Sequence, residues 1–286
     1  MRSKYKAIFY IVFSAFCFTW MNIFVRLSGS LPSVQKSFFR NLVAALVAAV
    51  VMLRNKESFR LEKKNILLLT LRAVFGTIGI LCNFYAVDHL VLSNASMLNK
   101  MSPFFILVFS LIILKEKLTL FQIAAVSAAF IGSMFVIKPT LANLDLVPSL
   151  LGFCGGASAG MAYTIVRLLS LRGEKSSMIV LYFSTFSCLA VLPWIILFGV
   201  PMTWQQVLCL TAAGAAAAGG QFGVTLAYAN APGREVSVYD YSQIIFSAVF
   251  GFFLFGDIPD VLSFFGYFLI IGAAVAIFFY NNRRKA

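Results

Sequence analysis

Ser96, Asn99, Lys100 and Pro103 lie inside one long apolar run at i, i+3, i+4 and i+7, a spacing that puts side chains on one face of a helix. Lys100 is about nine residues from the nearer end of that run, roughly 14 Å deep at 1.5 Å per residue. An ammonium so far into hydrocarbon requires a counter-ion, a watery cavity or a lowered pKa. Asp240 is the clear carboxylate within a predicted span, beside Ser237, Tyr239, Tyr241 and Gln243. Lysine's flexible stem lets the two charges meet from different depths. The pair is expected to act as a gate or a proton-coupling couple. The plainer alternatives are a packing ion pair for Lys100 and a solvated helix-end carboxylate for Asp240.

Other polar residues recur at helical spacing. Arg72, Gly76, Gly79 and Asn83 share one face, and Gly214, Gln221, Thr225 and Tyr228 share another. Gly152, Gly156 and Gly160 repeat every four residues and lead to Tyr163, while Thr19, Trp20 and Asn22 cluster in the first run. The glycines predict close helix seams. Arg72, Asn83, Trp20, Asn22, Tyr163, Gln221, Tyr239 and Tyr241 join Ser96, Asn99 and Lys100 as candidate lining groups for a polar cavity. Arg40 is expected to anchor its helix near one end. The surplus of positive charge favours a ligand bearing a carboxylate or phosphate, or a zwitterion.

Catalytic arrangements are not visible. The chain has no HExxH, GxSxG or P-loop motif and no paired intramembrane aspartates. Ser96 and Lys100 are four apart, a spacing at which a Ser–Lys dyad is sterically possible on a helix, but no third group is evident to orient them. No catalytic residue is therefore assigned. Five cysteines lie in apolar runs without a CxxC pair, and His89 is the single histidine. No metal site or cofactor is expected.

The elements that must position these groups follow from composition. Of 286 residues, 61% are hydrophobic and 12% charged, with a mean hydropathy of +0.92. A soluble domain would be roughly a quarter charged, so lipid must cover the excess apolar surface. Runs long enough to cross a bilayer fall at 7–27, 36–53, 66–87, 91–114, 119–138, 149–169, 178–198, 205–228, 236–255 and 261–280. They are continuous rather than alternating, which predicts helices and not barrel strands. The first run follows basic residues, as a signal peptide does. It is too long for one and shows no small-x-small cleavage site, so it is read as a retained span.

The net charge of +13 sits mostly in short gaps between runs, where it sets topology instead of binding nucleic acid. With a cytoplasmic N-terminus, that side receives Arg54, Lys56, Arg60, Lys63, Lys64, Lys115, Lys117, Arg172, Lys175 and Arg234, and Lys36 and Lys138 are the exceptions. An even number of spans returns the C-terminus to the same side. A multi-pass protein of the plasma (inner) membrane is expected.

Val25-Arg26-Leu27 matches Val166-Arg167-Leu168 at an offset of 141, and the same offset sets Ser96 on Ser237, Asn99 on Asp240 and Glu116 on Asp257. Five spans per copy is odd, so the second copy enters the membrane inverted. Residues 1–140 and 141–286 are thus expected to be inverted five-helix repeats, the plan of secondary transporters that work by alternating access.

Phe38-Phe39-Arg40, Leu71-Arg72, Ser102-Pro103 and Leu114-Lys115-Glu116-Lys117-Leu118 carry a further likeness. The chain resembles the drug/metabolite transporter superfamily, in particular its EamA-type members with two five-helix halves, over nearly its whole length. In the second half Gly256-Asp257 replaces the usual glutamate, and no proline stands opposite Pro103. The resemblance implies an all-α, ten-helix transporter. It fixes no substrate, because that superfamily moves amino acids, nucleotide-linked compounds, choline-like cations and drugs. The expected partners are a small-molecule substrate, a coupling proton or ion, and membrane lipid. A lipid translocase and an intramembrane enzyme are the alternative readings, and the oligomeric state is open.

Overall fold

The computed structural model describes residues 2–89, 98–137, 146–256 and 259–283. Among these residues every regular element is helical. In chain order they are α1 (Arg2–Leu27), α2 (Ser33–Arg54), α3 (Ile66–His89), α4 (Ser102–Ile113), α5 (Leu120–Ile137), α6 (Leu146–Leu171), α7 (Ser176–Phe198) and α8 (Trp204–Asn230). A helical turn (Gly233–Val236) and a 3-10 segment (Ser237–Tyr241) then lead into α9 (Ser242–Phe255), and α10 (Val261–Arg283) follows. Eight segments are long and apolar enough to cross a membrane, and two shorter apolar helices, Ser102–Ile113 and Leu120–Val136, bring the bundle to ten.

Burial is inverted relative to a soluble protein. Phe253, Ile196 and Val261 are exposed on the outside, where hydrocarbon is their natural solvent. Ser14, Thr19, Asn41, Arg72, Gln221 and Thr225 are buried among the helices, because a polar group facing acyl chains would go unsatisfied.

The packing partners of the helices follow a rule. α1 lies on α8 as α3 lies on α6; α2 meets α8 as α7 meets α3; α4 meets α6 as α9 meets α1. α2 also packs on α7, and α5 on α10. Exchanging each helix with the one five places along returns these pairs, whereas α6 packs on α8 with no comparable contact between α1 and α3 among the described residues. Ser14 Oγ donates to the Gly220 carbonyl at 2.6 Å. At the corresponding crossing, a Cβ added to Gly155 would stand 3.3 Å from the Gly79 carbonyl. Small residues at both crossings let the backbones approach closely.

Loop contacts sort the connections onto two faces. On one, the Gln35 carboxamide exchanges hydrogen bonds with the Val200 backbone, and Gln206 Nε2 donates to the Ser28 carbonyl. On the other, Ser177 Oγ donates to Glu57, and Asn65 Nδ2 donates to Glu174 at 2.8 Å. Arg54, Lys56, Arg60, Lys63, Lys64, Arg172 and Lys175 belong to that second face.

The fourth and ninth spans are not continuous helices, and this corrects the single-face reading for Asn99, Lys100 and Pro103. The chain is helical through Asn99 and turns at Lys100–Met101 before α4 begins. Pro103 has no N–H to give the Asn99 carbonyl. The amides of Phe104 and Phe105 both go to the Met101 carbonyl, at 3.0 and 3.3 Å. Ser96 lies outside the described residues. The ninth span breaks at its 3-10 segment without a proline. It ends at Gly256, whose φ of +71° is a left-handed helix stop, a conformation glycine adopts at little cost.

Candidate functional site

The two breaks face each other, and Lys100 lies between them. Its Nζ donates to Asp240 Oδ2 at 3.2 Å and to Gln243 Oε1 at 2.7 Å. The Lys100 and Asp240 side chains are only 12% and 18% exposed, so the pair is screened less than a surface ion pair. The break in span four frees the Lys100 carbonyl from its helix, and Tyr241 Oη donates to it at 3.0 Å. From α1, Thr19 Oγ1 reaches the Gln243 carbonyl at 3.4 Å.

Aromatic and guanidinium groups surround this junction. Tyr163 of α6 stacks on Tyr228 of α8, with centroids 5.4 Å apart and planes at 24°. Tyr163 is within electrostatic range of Asp240, Arg72 and Arg40, and Tyr228 of Asp240 and Tyr241. The Arg72 guanidinium lies 3.7 Å above the Phe183 ring, a cation–π arrangement. Gly76, one turn on, leaves room for it, since a Cβ there would press on Arg72 Nη1 and stand 2.7 Å from Phe183. Arg40 sits 5.9 Å from the Phe18 ring. Among the described residues Arg72 Nε and Nη1, Arg40 Nε, Gln221 Nε2, Thr225 Oγ1 and Tyr239 Oη are buried without a hydrogen-bond partner.

The predicted lining residues divide accordingly. Lys100, Asp240 and Tyr241 are in direct contact, and Tyr163 lies within electrostatic range of both Asp240 and Arg72. Gln221 and Tyr239 are buried polar groups. Asn99 is half-buried, and its carbonyl stands 3.7 Å from where a Gly156 Cβ would lie. Asn83 is half-buried, with its backbone against Gly155. Trp20 belongs to an aromatic row between α1 and α9, 5.0 Å from Phe250. Asn22 is exposed.

Three roles emerge only in the structure: Gln243, set beside Asp240 by the sequence, is the second acceptor for Lys100; Tyr228, on the Gln221 face, is the stacking partner of Tyr163; and Phe183 lies beneath Arg72. Gln243 had a signal, because groups three apart point the same way at a 3-10 junction. Phe183 had none, being one of 31 phenylalanines. The Gly152–Gly156–Gly160 stripe is a packing seam against span four. Cβ atoms there would strike Leu98 and Phe105, reaching 2.5 Å from the Leu98 carbonyl at Gly156.

A second polar cluster closes the bundle on the basic face. Arg167 Nη1 donates to the Ala229 and Tyr228 carbonyls at 2.8 and 3.4 Å, and its Nε is 4.0 Å from Glu116. Arg234 donates to the Lys117 carbonyl. Burial pushes the Glu116 carboxyl above its ordinary range, Arg234 and Arg167 pull it back, and Glu235 adds to the rise. Among the described residues no three His, Cys, Asp or Glu side chains converge as metal ligands would.

The model of the EamA-like transporter family matches residues 5–138. The pseudopaline exporter CntI of Pseudomonas aeruginosa is 30% identical over 269 residues, spanning 93% of each chain. Solute carrier family 35 member G1 of Mus musculus is 26% identical across 88% of this chain and 72% of that protein. A riboflavin transporter of Brucella anthropi is 23% identical across 89% and 92%. One solved crystal structure superposes over 98% of this chain and 99% of its own with a TM-score of 0.81 at 15% identity, a likeness of fold. The chain belongs to the EamA-like transporter family of the drug/metabolite transporters: it is a multi-pass membrane transporter of small molecules and not an enzyme.

Proposed function

We propose that this protein is a secondary transporter that carries a small polar or amphipathic organic metabolite across the plasma membrane by alternating access. Residues 1–140 and 141–286 act as inverted repeats, with both termini in the cytoplasm and the basic face inside. The observation that carries this reading is the junction of two broken spans at Lys100, Asp240 and Gln243. A buried ion pair built across two halves is held in one state and released in another. Its few contacts are cheaper to exchange than a continuous helix seam.

In this reading Arg72, Tyr163, Gln221, Tyr239, Tyr241 and Asn99 line the substrate path, and Lys100 with Asp240 gates it or couples it to a proton. The relatives named for pseudopaline and riboflavin transport support a metabolite as cargo and leave its identity open. Proteoliposomes loaded with a cellular metabolite extract test the proposal. A protein-dependent fall in the lumenal amount of a solute, read by mass spectrometry, supports it. Contents identical to those of protein-free vesicles overturn it.

A further inference from the structure

We propose that Arg72, with Arg40 nearby, is an oxyanion subsite, and that the cargo is a net anionic solute carrying at least one carboxylate or phosphate. This rests on the transport reading above. The charges at the centre of the bundle do not balance among the described residues. Lys100 has Asp240 at 3.2 Å, whereas neither Arg72 nor Arg40 has a carboxylate partner there. Arg72 is 2% exposed, and an uncompensated cation at such burial is costly unless a ligand brings the opposite charge.

The geometry leaves two buried donors of Arg72 unused. The face of the guanidinium is occupied by the Phe183 ring at 3.7 Å. Among the described residues Nε and Nη1, which point from two different edges of the guanidinium, have no hydrogen-bond partner. A guanidinium stacked by its face keeps its in-plane N–H donors for other groups, and each free donor can meet an oxygen of a carboxylate or phosphate. Gly76 leaves the room that Nη1 occupies.

Arg167 is the internal control for a structural arginine. Its Nη1 donates to the Ala229 and Tyr228 carbonyls, and its Nε, although without a hydrogen bond, lies 4.0 Å from the Glu116 carboxylate. Among the described residues Arg72 has neither carbonyl nor carboxylate to hold. Tyr163, which feels the Arg72 charge, stacks on Tyr228, and the two rings offer an aromatic surface that suits the rest of the solute.

The efflux assay with metabolite-loaded proteoliposomes decides the matter when solutes are sorted by charge. Protein-dependent loss confined to carboxylates or phosphate esters, reduced at least about 10-fold in Arg72→Met, supports the subsite. Carboxylates and phosphate esters are scored separately, which identifies the oxyanion. Loss confined to neutral or cationic solutes overturns the subsite and leaves transport standing. No protein-dependent loss overturns both.

Thermal unfolding of purified full-length protein covers the case in which the variant is merely misfolded. Removing an uncompensated buried charge is expected to raise the ligand-free melting temperature of Arg72→Met by about 2–4 °C. The variant should also lose any upward shift given by succinate or glycerol 3-phosphate over matched sodium chloride. A lower melting temperature with the shift retained makes Arg72 a packing residue and overturns the proposal.

Discussion

The phenol of Tyr241 donates a 3.0 Å hydrogen bond to the backbone carbonyl of Lys100, a residue 141 positions away. That separation equals the 141-residue offset read between the matching sequence passages, and the bond joins the break in span four to the break that precedes α9. Tyr241→Phe removes this bond and keeps the ring. Chemical unfolding is expected to show a loss of about 0.5–2 kcal/mol, the range for one hydrogen bond inside a membrane bundle. No loss would mean that the carbonyl finds water as easily.

Lys100 and Asp240 should behave as a unit. Each of Lys100→Gln and Asp240→Asn leaves the other charge partly buried, whereas the double variant leaves neither. A double-mutant cycle on stability should give a coupling of about 1–3 kcal/mol. If the pair is also the coupling site, Asp240→Asn flattens the dependence of transport on external pH. A rate and pH profile equal to wild type would remove Asp240 from the mechanism.

Gly156 is expected to tolerate no side chain. Its added Cβ would stand 2.5 Å from the Leu98 carbonyl, which is backbone and cannot swing aside as a rotamer would. Gly156→Val should cost about 1–3 kcal/mol by overpacking and shift the segment that carries Asn99 and Lys100. Transport rate and melting temperature should therefore fall together. Gly173→Ala provides a contrast: nothing lies near its added Cβ, but φ is +84°, so any loss there comes from backbone strain.

Glu116 gives a pH dependence with a defined sign. Its carboxyl is raised in the folded protein by burial, against the pull of Arg234 and Arg167. A raised carboxyl binds its proton more tightly when folded. Its charged form is thus a penalty at neutral pH, relieved as pH falls through the folded value toward the ordinary value near 4.5. The melting temperature of wild type relative to Glu116→Gln should rise on acidification from pH 7 to 5. A difference that falls over that window would mean that the arginines outweigh burial.

Topology is checked by single introduced cysteines in a background without the native ones. Ser30 and Ser58 are exposed in loops on opposite faces. Ser30→Cys should react with an impermeant maleimide on intact cells, and Ser58→Cys only after permeabilisation. The reverse pattern would invert the assignment of inside and outside.

Much of the architecture was legible along the chain. The ten apolar runs predicted ten helices, because hydropathy over some twenty residues reports whether a segment can leave water. The basic gaps share one face of the bundle, because a lysine or arginine in a short loop holds that loop in water. The meeting of Lys100 and Asp240 was also readable: an ammonium and a carboxylate deep in apolar runs have few other partners. What lay beyond reach depends on contacts between distant segments. Apolar periodicity reads straight through the turn at Lys100–Met101 as helix, because it does not register one missing amide even with Pro103 beside it. The 3-10 break before α9 has no local marker of that kind. Gln243 on Lys100, Phe183 beneath Arg72 and Tyr228 against Tyr163 arise only when α3, α6, α7, α8 and the two broken spans pack together. A sequence records how much each residue prefers lipid or water, and only the packed bundle decides which neighbour each buried polar group meets.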